Sequence, residues 1–88
     1  MMTLELLKAR VSEEQEETFK NIQKYIKCDP DVMDGLPVFV GTRVPVHIVF
    51  ECLAEGMSPE QILKAFPTLE PEHIPAALKF SSLLAAIH

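Results

Sequence analysis

Residues 35–69 constrain the fold most, because they predict two helices and the turn between them. Over residues 46–55 the only polar side chains are spaced four positions apart: His47, Glu51 and Glu55. This pattern predicts a helix that has one polar stripe and is otherwise buried. Gly56 follows at the point where a helix end favours a residue that tolerates the left-handed conformation, so the first helix is predicted to end there.

The second helix of this pair begins with Ser58-Pro59-Glu60-Gln61. Ser58 is a suitable N-cap, proline suits the first helical position, and Gln61 has the spacing needed to complete a capping box. Pro67 ends the helix because proline cannot donate a backbone hydrogen bond. Two short helices joined by a tight turn are typical of the first half of a helix-turn-helix.

The first 25 residues are predicted to form an N-terminal helical extension. Leu4, Leu7 and Val11 have the spacing of a short amphipathic helix. Ser12 and Gln15 then form a second capping-box pattern, which predicts a new helix beginning at Glu13. Residues 26–88 are interpreted as the helix-turn-helix domain, and the whole chain as one globular unit.

A short strand is predicted over residues 38–40, because this run is β-branched and aromatic and lies between prolines. Such a strand needs a partner. Residues 25–28 of the same chain are one candidate, and the same strand of a second chain is the other. The residues Gly41-Thr42-Arg43 then lead into the first helix of the pair.

Residues 76–87 predict a third helix of the core, whose start is left open between Pro71 and Pro75. The helix is so apolar that it requires a cover, and a second copy of the chain is the simplest one. The sequence therefore predicts a homodimer. Its expected interface residues are Val38, Val40, Phe80, Leu83, Leu84 and Ile87.

Charge and composition exclude several classes of protein. The 88 residues carry a net charge of −5, which argues against strong nonspecific binding to nucleic acid. No apolar run is long enough for a membrane span and no signal peptide is visible, so we expect a cytoplasmic protein that does not bind membranes. Cys28 and Cys52 are expected to be free thiols.

A set of motifs extends over residues 26–82, and its most specific part is the Gly-Thr-Arg piece followed by the Gly-x-Ser-Pro-Glu piece. The residues of the set are Asp29-Pro30-Asp31-Val32-Met33, Gly35, Pro37-Val38, Gly41-Thr42-Arg43-Val44, Val46, Leu53-Ala54, Gly56, Ser58-Pro59-Glu60, Ile62, Phe66-Pro67 and Leu69. Together these motifs resemble the bacterial family of unknown function numbered 433.

This resemblance implies a mainly α fold with a winged-helix or resolvase-like helix-turn-helix, a three-helix core and a short β element. It also implies an antitoxin of the VapB class, which binds a PIN-like ribonuclease toxin and operator DNA. The chain departs from the family pattern in three places. Glycine is usual where Asp34 stands, lysine is common where Leu36 stands, and serine or threonine is common where Glu70 stands.

In a helix-turn-helix the third helix reads the bases, and its N-terminal residues meet the base edges. Here that segment contains Glu70, Glu72 and His73. Most of the affinity for DNA comes instead from contacts of lysine and arginine side chains with phosphate groups. The acidic segment favours an alternative function, that of an adaptor or dimerisation module that does not bind DNA. The candidate nucleic-acid contacts are Thr42, Arg43, Lys64, His73 and Lys79.

Two interpretations of Arg43 stay open. With Thr42 it is placed to hold an anion, or it ties the turn to Asp29, Asp31 or a carbonyl oxygen, and we favour the tie. His47 and Glu51 could form an acid–base pair or half of a metal site. They are interpreted as a partly exposed ion pair, because the sequence places no third metal ligand or nucleophile beside them. We therefore expect a protein without metal, cofactor or enzymatic activity.

Overall fold

The structure is a computed structural model. It describes residues 4–86, except for the side chains of Glu5 and Leu6. It is mainly helical, with a small antiparallel β pair. Two short 3₁₀ helices, Glu13–Gln15 and Met33–Gly35, precede α2 and β2. The remaining elements, in chain order, are α1 Leu4–Arg10, α2 Glu16–Tyr25, β1 Ile26–Cys28, β2 Pro37–Phe39, α3 Val46–Ala54, α4 Pro59–Ala65 and α5 His73–Ala86.

The turn between α3 and α4 has the structure that the sequence predicts. Gly56 has a φ of +92°, its N–H donates to Leu53 O at 3.0 Å, and Met57 N–H donates to Cys52 O at 3.0 Å. These two bonds form a Schellman motif, which satisfies the last carbonyl groups of α3. The capping box of α4 is also present, since Gln61 N–H donates to Ser58 Oγ at 3.2 Å and Ser58 N–H donates to Gln61 Oε1 at 2.8 Å.

The partner of the predicted strand lies in the same chain. β1 and β2 pair antiparallel, with Ile26 opposite Phe39 and Lys27 opposite Val38. The strand begins one residue earlier than the sequence predicts, at Pro37, and Val40 N–H extends the pairing by donating to Tyr25 O at 2.8 Å. Ile26 and Phe39 are fully buried in the main core, so this face of the pair is turned toward the helices.

The apolar face of α5 is covered mostly by α2 of the same chain. Leu7, Phe19 and Ile22, from the segment predicted as an extension, are buried in the core that α5 also enters. These three residues thus contribute to the same core as the three helices that follow the strands. The packing of α2 on α5 supplies the cover that the sequence predicts from a second subunit. The residues that α5 buries are His73, Ile74, Ala76, Ala77, Phe80 and Leu83.

Helix α5 begins at His73, between the two prolines that left its start open. Pro75 therefore lies in the first turn, where a backbone N–H has no partner within the helix. The proline removes no helical hydrogen bond there and is compatible with the helix.

Helix α3 is less buried than its sequence predicts. Val46 and Val49 are buried, but the other large apolar side chains of the helix are only partly buried. Cys28 and Cys52 are both half-buried free thiols, as predicted. Among residues 4–86, no helix has the length and apolar character needed to cross a membrane.

Candidate nucleic-acid interface

The loop between β2 and α3 is held tightly by its own hydrogen bonds. Phe39 N–H donates to Val44 O at 3.1 Å, and Thr42 N–H donates to Phe39 O at 3.0 Å. The Thr42 hydroxyl donates to Phe39 O at 2.9 Å and accepts Val44 N–H at 3.1 Å. Thr42 therefore acts as a turn residue, because its hydroxyl donates its single hydrogen within the loop. The loop holds Arg43 just before α3.

A shallow open depression of about 550 Å³ adjoins this loop. The lining comes from three parts of the chain: β1, the loop between β2 and α3, and the loop between α4 and α5. Its charged members are Lys27 and Arg43, and no carboxylate lines it. On a chain with a net charge of −5, this is a local concentration of positive charge. The lining residues are Lys27, Gly41, Thr42, Arg43, Val44 and Thr68.

Lys27 and Thr68 belong to this depression and were absent from the sequence-based candidates. Lys27 lies directly opposite Val38 in the β pair, so both side chains are on the side of the sheet away from Ile26 and Phe39. The signal in the sequence was the alternation of apolar Ile26 with charged Lys27, which predicts an outward lysine. No local pattern connects Thr68 with β1, because only the fold brings the two together.

Arg43 is exposed and is not tied to the aspartates proposed from the sequence. Within the described range 4–86, no hydrogen bond or ion pair joins its guanidinium to Asp29 or Asp31. Asp29 Oδ1 instead accepts Asp31 N–H at 2.9 Å, which closes a local turn. Arg43 is therefore an exposed lining residue of the depression without an ion pair to either aspartate.

His73 is a structural residue in this fold, which corrects its prediction as a nucleic-acid contact. It is only 5% exposed, and its Nδ1 accepts Glu70 N–H at 2.9 Å. Its ring lies 5.1 Å from that of Phe39 and 6.0 Å from that of Tyr25, measured between ring centroids. The side chain thus caps the start of α5 from inside the core and is not accessible to DNA.

The other two candidate cations are exposed but lie outside the depression. Lys64 is in the last turn of α4, and Lys79 lies on the outer face of α5. At the start of α5, Glu70 and Glu72 are both exposed. The two carboxylates that the sequence places in this segment therefore lie on the protein surface.

The predicted dimer residues separate into two groups. Val38, Phe80 and Leu83 are at most 6% exposed within a single chain. They are covered by the chain itself and offer no surface to a partner, which corrects their prediction as interface residues. Val40 and Leu84 are each 38% exposed and remain candidates, and Leu78 on α5 is 51% exposed. Ile87 lies outside the described residues.

His47 and Glu51 are exposed on α3, and Glu55 is exposed at its C-cap, as the polar stripe predicts. Over the part of the chain that the structure describes, no group of three or more His, Cys, Asp and Glu side chains is placed to hold a metal ion.

Residues 26–81 match the family described as protein of unknown function, DUF433. The chain belongs to this family. It is also similar to y4eO, an uncharacterized protein of Sinorhizobium fredii (strain NBRC 101917 / NGR234). The two are 42% identical over 52 residues, which is 59% of this chain and 24% of that relative. The chain thus spans about a quarter of the length of this relative. No solved structure matches the chain.

Proposed function

We propose that this DUF433 protein is the antitoxin of a toxin–antitoxin pair, a non-enzymatic binding protein that acts on a PIN-like ribonuclease and on operator DNA. The observation that carries the proposal is the succession of α3, α4 and α5 beside a depression lined by Lys27 and Arg43. A Schellman turn and a capping box join α3 to α4. A helix-turn-helix protein needs such a helix series and cations that face phosphates.

The charge of the chain supports a basic protein partner. A net charge of −5 attracts a basic nuclease and accelerates its association. The exposed Leu78 and Leu84 on α5 add apolar surface, which protein interfaces use at their centre. The same acidic charge weakens DNA binding by the isolated protein. The nuclease partner supplies further cations, so the complex binds DNA more tightly than the antitoxin alone.

The test is a gel shift on the protein's own upstream DNA at about 50 mM salt, where electrostatic binding is strong. It is run with and without the product of the neighbouring gene, after copurification has shown whether the two proteins form a complex. A shift that appears or strengthens with the partner supports the proposal. Failure to form any complex, together with no shift, contradicts it.

An adaptor or dimerisation module without DNA binding is the second candidate. It is favoured by the exposed Glu70 and Glu72 at the start of α5, where a recognition helix would meet DNA. The same gel-shift experiment distinguishes the two functions, because an adaptor binds a protein partner and leaves the mobility of the DNA unchanged.

A further inference from the structure

The start of α5 and the depression have opposite electrostatic characters. Glu70 and Glu72 are exposed at the first and repel phosphate groups, whereas Lys27 and Arg43 line the second. A recognition helix that approached DNA by its acidic end would need phosphate contacts elsewhere on the protein. The depression offers two cations, and no carboxylate is among its lining residues.

The geometry points to Lys27, Arg43 and Thr68 as the residues that bind one phosphate group, which under the proposed function belongs to the backbone of duplex DNA. The assignment of the phosphate to DNA rests on that proposed function, whereas the anion site rests on the depression itself. The three side chains come from β1, the loop before α3 and the loop after α4, and the fold brings them to one concavity.

The donors available in the depression suit a phosphate. A guanidinium binds two phosphate oxygens at once, an ammonium acts as a point charge, and a hydroxyl donates one more hydrogen bond. Thr42 is excluded from this set because its hydroxyl already donates to Phe39 O. A Cβ built at Gly41, where φ is +83°, would meet nothing within 4 Å, so the backbone beside Arg43 is open to an approaching anion.

Such a contact positions the protein on DNA and does not read its sequence, because phosphates are the same at every base pair. Loss of Lys27 or Arg43 should therefore weaken binding to all duplexes alike. Each lost phosphate contact should also reduce the slope of log K against log salt by about 0.9. If variant and parent bind equally at about 1 M salt, this slope change corresponds to a loss of roughly eightfold in affinity for each cation at about 0.1 M salt.

The first experiment measures binding of the full chain, alone and with the neighbouring gene product, to its own upstream duplex. Fluorescence anisotropy between about 50 and 200 mM salt gives the slope. The variants are Lys27→Gln, Arg43→Gln and Thr68→Val, each checked by a thermal melt. Lys20→Gln is the matched control, because it removes the same charge from an exposed position on α2 that contributes nothing to the depression.

The second experiment titrates the full chain with inorganic phosphate at constant ionic strength and follows the backbone amides by NMR. Shifts at Gly41, Thr42, Val44 and Thr68 that disappear in Arg43→Gln support the anion site. In duplex binding, the slope of log K against log salt should decrease in Lys27→Gln and Arg43→Gln and stay unchanged in Lys20→Gln. This result supports DNA as the source of the phosphate.

The two proposals fail in different ways. Local phosphate shifts without any duplex binding overturn DNA as the source of the phosphate and contradict the operator part of the proposed function. Duplex binding with unchanged slopes in Lys27→Gln and Arg43→Gln, and no local phosphate shifts, overturns the anion site and leaves the proposed function standing.

Discussion

Replacement of Gly56 by alanine should destabilise the fold through its backbone conformation alone. Gly56 has a φ of +92°, and a Cβ at this position would meet nothing within 4 Å, so no steric clash contributes. An L residue in the left-handed region costs about 1–2 kcal/mol. The loss of glycine's freedom in the unfolded chain offsets roughly 0.5–1 kcal/mol of this cost. The expected net decrease in the free energy of unfolding is therefore about 1 kcal/mol.

Thermal and urea unfolding followed by circular dichroism measure this change. For a domain of this size, 1 kcal/mol lowers Tm by about 4–8 °C. Gly56→Asn should lose less than Gly56→Ala, because asparagine tolerates the left-handed region better than most residues. Glu55→Ala is the matched control, since this exposed neighbour has a φ of −82° and should change stability by less than about 0.5 kcal/mol.

Two outcomes would refute this reasoning. If Gly56→Ala and the parent protein unfold at the same temperature, Gly56 does not hold a left-handed conformation at the end of α3. If Gly56→Asn loses as much as Gly56→Ala, the loss arises from something other than φ.

Three further predictions concern other parts of the chain. Ser58→Ala should reduce the free energy of unfolding by roughly 1 kcal/mol, because Gln61 N–H loses its acceptor; unchanged urea unfolding would contradict this. Asp34 has a φ of +56°, so Asp34→Gly should raise Tm by a few degrees, and a lower Tm would contradict this. The exposed Leu78 and Leu84 on α5 predict a dimer by light scattering, and Leu84→Asp should weaken it because the interface would bury an unpaired charge; a mass of 9.9 kDa for the parent protein would contradict this.

The choice of Leu84 in the dimer test shows where sequence reasoning was limited. From the sequence, Phe80 is as good a candidate as Leu84, because both are apolar residues on one predicted helix. In the structure Phe80 is buried in the chain's own core, so Phe80→Asp would unfold the monomer and could not report on a dimer. An apolar pattern indicates that a residue is covered, but it does not say by what.

The candidate site shows the same limit. Arg43 was found from the sequence because a local motif places it before a helix. Lys27 was missed because its partner residues are distant in the chain. His73 was misinterpreted because a histidine near a helix start has the same local pattern whether its ring points outward or into the core.

The sequence by itself determined the local features: the Schellman turn at Gly56, the capping box of Ser58 and Gln61, and the short strand before α3. These depend on backbone conformation and on hydrogen bonds between residues a few positions apart, so the local residue types specify them. Only the tertiary structure decided that α2 covers α5, that His73 is buried, and that Lys27, Arg43 and Thr68 meet at one depression. The physical reason is that the hydrophobic effect is non-directional. It requires apolar faces to be buried, and the packing of the whole chain determines which faces meet.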